Sequence, residues 1–241
     1  MSDIRDDVRD LFSAVTGATP AGIWSAPGRL TLPSGEAVAI DRRAVVAAGG
    51  REDDVVRLIS AVHAEVAELR LPELDDVRGR AGWADAALAA IATLRSEGAD
   101  LAAVPGVDVA LDSTVPEGVG LGSESATADA VAAALRELWR LPVPAPAPEP
   151  AFGVGDDEEL LVIAAGAEDA GDPVLALAAE TARDLGATAA HPIGDGSLLV
   201  VIPADAGSRV RVAIDGAFAE HGWGSPELFA VRPSMGPRRD A

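Results

Sequence analysis

The segment best suited to chemistry is Val115-Pro116-Glu117-Gly118-Val119-Gly120-Leu121-Gly122-Ser123-Glu124-Ser125-Ala126. Glycines at alternate positions ahead of a helix start free backbone N–H groups to cradle a phosphate, and the helix dipole adds to that field. The same spacing also serves a plain turn, so the loop alone leaves both roles open. Two other segments place cations beside turns. One is Trp24-Ser25-Ala26-Pro27-Gly28-Arg29, continuing to Ala39-Ile40-Asp41-Arg42-Arg43. The other, Ser225 to Arg239, reads as a strand and a basic tail.

Composition removes several chemistries. The chain holds no Cys, Tyr, Lys, Asn or Gln. It therefore has no thiolate nucleophile, no disulfide, no Schiff-base lysine and no P-loop lysine. A net charge of −20 repels nucleic acid and anionic membranes. Hydrophobic content of 49% suits a folded core, but aromatics are only 3%, so small aliphatics must fill it. The charged N-terminal stretch and the lack of any run of ~18 apolar residues make a cytoplasmic protein the expectation.

The elements that must position these segments follow from periodicity. Ile4, Val8, Leu11, Phe12 and Val15 give an amphipathic helix over 3–15, stopped by Gly17. Short strands are expected at 21–24, 29–32 and 36–40, separated by Pro27-Gly28 and Pro33-Ser34-Gly35 turns, with 45–48 extending the sheet. Val55, Leu58, Ile59, Val62 and Val66 predict a helix over 54–69, and a second helix covers 83–94. A strand at 107–111, the glycine loop at 116–122 and a helix over 123–138 complete this part. Pro142, Pro144, Pro146, Pro148 and Pro150 predict an extended linker. Beyond it come a strand (160–164), a helix (173–185), a strand (197–202), a helix (209–220) and a strand (227–231), an α+β sandwich on an open sheet.

Taken in order, four segments resemble the galactokinases of the GHMP superfamily. Gly17-Ala18-Thr19-Pro20 after the first helix resembles their opening, and Ala26-Pro27-Gly28-Arg29 their first motif. The 116–126 loop resembles a phosphate-binding motif of pattern V-P-x-G-x-G-L-S-S-S-A, and Phe229 to Ser234 a closing strand. The resemblance implies a two-domain α+β fold. Its parts would be an N-terminal α/β domain at 1–141, a linker at 142–150 and a C-terminal ferredoxin-like sandwich at 151–241. It implies MgATP as cofactor if the protein is active, and a sugar or nucleotide in the interdomain cleft. Nucleic acid and membrane are not expected as partners; a second copy or another protein is a candidate partner.

The resemblance also shows where the pattern departs, as in a shortened and degenerate member. After Arg29 the family's sugar-binding stretch N-L-I-G-E-H-T-D-Y is absent, leaving Gly35-Glu36 either as a remnant or as a turn pair. Gly122 and Glu124 replace two serines of the loop, and Ser125 an alanine. Glu124 would repel a triphosphate unless a bridging Mg²⁺ made it a ligand; the repulsion at 4 Å is about 4 kcal/mol at an effective dielectric of 20. The family's catalytic aspartate, in a G-x-M-D-Q-like segment that meets the A-P-G-R arginine, has no counterpart, and Asp156 or Asp157 would be a guess from proximity. Gly186 to Gly196 replaces a glycine run with His191-Pro192-Ile193, where His191 reads as a loop residue rather than an acid–base group. The expected remnants are Arg29 and Glu36 for substrate, and Gly118, Gly120, Gly122, Ser123, Ser125 and Gly196 for nucleotide. No catalytic residue is assigned, and the metal ligands are unknown. Two functions stand open: a galactokinase-like protein that has lost catalysis and acts in binding or regulation, or an active kinase of a sugar or other small alcohol with an altered site.

Overall fold

The computed structural model describes residues 3–32, 35–77, 82–144, 157–165, 172–194 and 196–241. Helix α1 (Ile4–Thr16) starts at Asp3, whose carboxylate accepts the Arg5 N–H, and ends at Gly17. Its Val8 and Phe12 are buried against Ile23, Val45, Ala47, Ile59 and Ala110 on one face of the first sheet.

Strands β1 (Gly22–Thr31) and β2 (Ala37–Gly50) form one long antiparallel hairpin. The short strands expected on either side of Pro27-Gly28 are thus one strand, and Pro27-Gly28 is not a turn but a bulge between Pro27 and Arg29. A bulge tolerates the missing proline N–H. It also brings Gly28 so near the glycine loop that a Cβ there would lie 2.9 Å from the Leu121 carbonyl oxygen. The turn expected at 33–34 lies outside the described residues.

The helix expected over 54–69 is instead two strands, β3 (Val55–Ser60) and β4 (Ala67–Arg70). Val55, Val56 and Ile59 are stiff at χ1 and suit a pleat better than a helix. Parallel pairing of β3 with β5 (Val107–Ser113) then buries Val56 and Leu58 on one face. Val62 and Val66, which a helix would have turned inward, are 77% and 45% exposed. Helices α2 (Leu74–Val77), α3 (Asp85–Ser96) and α4 (Ser123–Leu138) follow the chain order. The Ala-rich faces of α3 and α4 cover the other side of the sheet.

The second sheet is built from β6 (Glu158–Ala164), β7 (Ala189–Gly194), β8 (Ser197–Pro203) and β9 (Glu227–Val231) in the order β7-β8-β6-β9. With α5 (Asp172–Asp184) and α6 (Gly207–Glu220) the sequence order is βαββαβ, all neighbours antiparallel, a ferredoxin-like sandwich. Strand β7 is the element that periodicity missed. Its His191-Pro192 pair has little strand propensity, and an edge position accommodates it. His191 is therefore an exposed strand residue, not a loop residue. The helices pack on one face of this sheet. Leu160, Val162, Leu199 and Val231 on the other face join the core of the first sheet, so the two layers share one apolar interior.

A second tie joins the sheets. The Asp41 N–H donates to the Arg232 carbonyl at 2.8 Å and the Ser234 N–H to the Ala39 carbonyl at 2.9 Å. Strand β10 (Arg238–Arg239) then pairs with β1 and completes the first sheet as β10-β1-β2-β5-β3-β4. The buried Arg43 guanidinium secures this return, donating to the carbonyls of Ser25, Met235 and Gly236 and to the hydroxyls of Ser25 and Ser234. The Pro-rich linker from 145 onward lies outside the described residues. Among the described residues no helix is long and apolar enough to cross a membrane.

Candidate functional site

The glycine loop sits against the edge of β1 beyond the reach of β10. The Arg29 N–H donates to the Leu121 carbonyl at 2.8 Å, which binds the loop to the Ala26-Pro27-Gly28-Arg29 bulge. Gly118, Gly120 and Gly122 all take left-handed backbone conformations, and Gly122 is the N-cap of α4. Ser123 opens the helix. Ser125 donates its hydroxyl back to the Gly122 carbonyl at 2.9 Å, and Glu124 is exposed in the first turn.

The other wall of the loop comes from β7. A Cβ on Gly120 would lie 2.6 Å from the Ile193 carbonyl oxygen and 3.3 Å from that of Gly194. Two acceptors therefore rest on the glycine where a phosphate site needs donors. Gly196 lies in the turn to β8, and its carbonyl accepts the Ala165 N–H. The segments expected to hold nucleotide thus meet, with carbonyls facing the loop at Gly120. That donor set does not fit a triphosphate at this glycine. Among the described residues no three His, Cys, Asp or Glu side chains converge as a metal site.

Arg29 does find a carboxylate, one that sequence reasoning missed. Its Nη2 donates to Oδ2 of Asp129 at 2.8 Å. Asp129 projects from α4 seven residues after Gly122, about 10 Å along the helix axis at 1.5 Å per residue. The spacing of Gly122, Ser125 and Asp129 on one helical face was the available signal. Burial pushes the Asp129 carboxyl above the ordinary aspartate range, and the Arg29 charge pulls it back only in part.

Other expected residues lie apart. Glu36 is exposed at the end of the β1–β2 hairpin, three residues beyond Ala39, the cross-strand partner of Arg29, about 10 Å along the strand. Asp157 is exposed at the start of β6, its carbonyl accepting the Ala204 N–H, and Asp156 lies outside the described residues.

Known proteins share parts of this sequence and its fold. The model of the GHMP kinases N terminal domain matches residues 84–180, which include the loop and α4. The galactokinase of Streptomyces coelicolor is 35% identical over 149 residues, 57% of this chain and 37% of that protein. The galactokinase of a Roseiflexus species is 31% identical over 173 residues, 68% of this chain and 40% of that protein. The chain thus spans about two fifths of the length of these curated relatives. Among solved structures, Lactococcus lactis galactokinase complexed with galactose superposes with a TM-score of 0.81 at 13% identity, covering 98% of this chain and 100% of that one. Methanococcus jannaschii mevalonate kinase gives 0.63 at 12% identity, covering 88% and 98%. At such identities the superpositions speak for the fold alone. With the ordered motifs, the ferredoxin-like second layer and these relatives together, the chain is a galactokinase-like member of the GHMP kinases.

Proposed function

We propose that this galactokinase-like chain has lost phosphoryl transfer and acts by binding. The observation that carries this reading is the placement of the Ile193 and Gly194 carbonyls against Gly120, where a bound phosphate needs donors. Phosphoryl transfer depends on cations placed at the transferred group. Asp129 holds the Arg29 guanidinium about two turns down α4 from the loop where phosphates would sit. The exposed carboxylate of Glu124 at the helix start acts in the same direction. Galactose, the sugar in the Lactococcus lactis structure, is the first ligand to test, by calorimetric titration.

The enzymatic test is transfer of label from ATP to galactose and to a panel of sugars and small alcohols. Background turnover is expected, and turnover above it overturns the proposal. Thermal melts with MgATP are expected to stay flat into the millimolar range, whereas a ligand at 100 times its Kd adds about 2.7 kcal/mol.

A second reading has one observation in its favour. A half-buried carboxyl with a raised proton affinity beside an arginine has the character of a general base. On that reading the wild type phosphorylates an alcohol and Asp129→Asn abolishes turnover.

A further inference from the structure

The second sheet has two borders, β7 on one side and β9 on the other. The border of a sheet is a row of unpaired backbone groups, open to a strand from any neighbouring molecule. Both borders are closed here, in different ways.

Along β9 the outward carbonyls are taken up by the molecule itself. Leu228 accepts from Arg211 and Ala230 from Arg42, and Arg232, just past the strand, accepts the Asp41 N–H at 2.8 Å. Two of these three donors belong to β2, so the first sheet stands along this border.

Along β7 no strand stands beside the border among the described residues, and His191 and Pro192 are exposed. Its chemistry has to keep it single. Arg183 of α5 donates Nη2 to the Ala190 carbonyl at 3.3 Å. That carbonyl therefore points away from β8, and in an antiparallel strand the residue two further on points the same way. That residue is Pro192, which has no N–H to offer. Of this outward pair only Ala190 has a donor, and its acceptor is already engaged. Beyond the irregularity between Pro192 and Gly194, the carbonyls of Ile193 and Gly194 rest on Gly120 of the glycine loop.

Pairing with a second copy across a two-fold axis would bring the same border of each chain together and needs free donors and acceptors at the outward residues. We propose that Arg183 and Pro192 are guards that keep β7 from pairing with β7 of a second copy. Arg183 fills the acceptor at Ala190, and Pro192 deletes the donor two residues on. This barrier operates whether or not the chain transfers phosphate.

The test is sedimentation velocity over a range of concentrations, comparing wild type with the double variant Arg183→Met, Pro192→Val. The net charge of −20 also holds copies apart, so the comparison is made in about 1 M NaCl, where the Debye length is about 3 Å. The double variant is expected to self-associate at least tenfold more tightly than wild type. Its Ala190 amide is expected to exchange hydrogen more slowly as concentration rises. Equal association by the two proteins overturns the proposal. Tighter association with Ala190 exchange unchanged overturns it too, because the contact then lies elsewhere. Arg183→Met makes the chain more negative, so general charge effects run against the expected result. Pro192→Val alone removes no hydrogen bond of the folded chain and is expected to tighten association severalfold. It decides the matter if a thermal scan finds the double variant unfolded, and no tightening by it overturns the proposal.

Discussion

Arg29 on β1 and Asp129 on α4 are joined by a 2.8 Å hydrogen bond spanning a hundred residues of sequence. The carboxyl is partly withdrawn from water, and that burial outweighs the attraction of the guanidinium. The folded chain therefore holds the Asp129 proton more tightly than the unfolded chain does. Stability falls as pH rises from the ordinary aspartate range through the raised value, then levels. Asp129→Asn removes this dependence. Its urea midpoint, measured relative to wild type, is expected to climb across that window; a difference that stays constant or declines would count against the assignment.

Gly120 and Gly118 make a matched pair. Both are left-handed, so alanine at either incurs about 1 kcal/mol of backbone strain. Around Gly118 a Cβ meets nothing within 4 Å, whereas at Gly120 it meets the Ile193 carbonyl at 2.6 Å. Gly120→Ala is expected to be the more destabilising by a further about 1–3 kcal/mol. Equal losses in equilibrium urea unfolding would show that β7 does not rest on the loop.

Asp53 tests the electrostatics at the far end of the sheet. Hydrogen bonds from Arg51 hold its carboxyl down to about 2. The stabilisation it brings is complete above the ordinary aspartate value and is lost as pH falls toward 2. A carbon-detected NMR titration should find Asp53 ionised at pH 3, and Arg51→Met should return its midpoint to the usual range.

Glu137 on α4 accepts the indole N–H of the buried Trp24 at 2.9 Å and pairs with Arg239 of β10. Glu137→Ala leaves the indole donor without its acceptor, at a cost of about 1–3 kcal/mol. In a Trp24→Phe background, which has no such donor, the same substitution should cost less. A cycle showing no coupling would refute this role.

How much of this was legible depended on where the determining contact lay. Helix α4 was readable to its ends, because a glycine loop precedes Ser123 and apolar spacing runs to Leu138. Residues 55–70 misled because Val55, Leu58, Ile59, Val62 and Val66 satisfy a helical period. Their fate was decided by a parallel strand fifty residues away. Strand β7 was hidden by His191 and Pro192, tolerated only at an edge. The motifs told which segments meet, since Arg29 and Leu121 are hydrogen-bonded. They did not reveal Asp129, whose relevance comes from the direction in which the Arg29 side chain runs.

The pairing of β10 with β1 sets an order of events during synthesis. Trp24 is made early, yet its partner Arg239 leaves the ribosome some two hundred residues later. Until then one edge of β1 has no strand beside it, and the carbonyls that hold the Arg43 guanidinium, from Met235 and Gly236, do not yet exist. Closure across so long a loop slows folding. The first sheet is thus completed only after β9, the last strand of the second sheet, has been made. A nascent chain halted before residue 234 is expected to carry an Arg43 that proteases and chaperones can still reach.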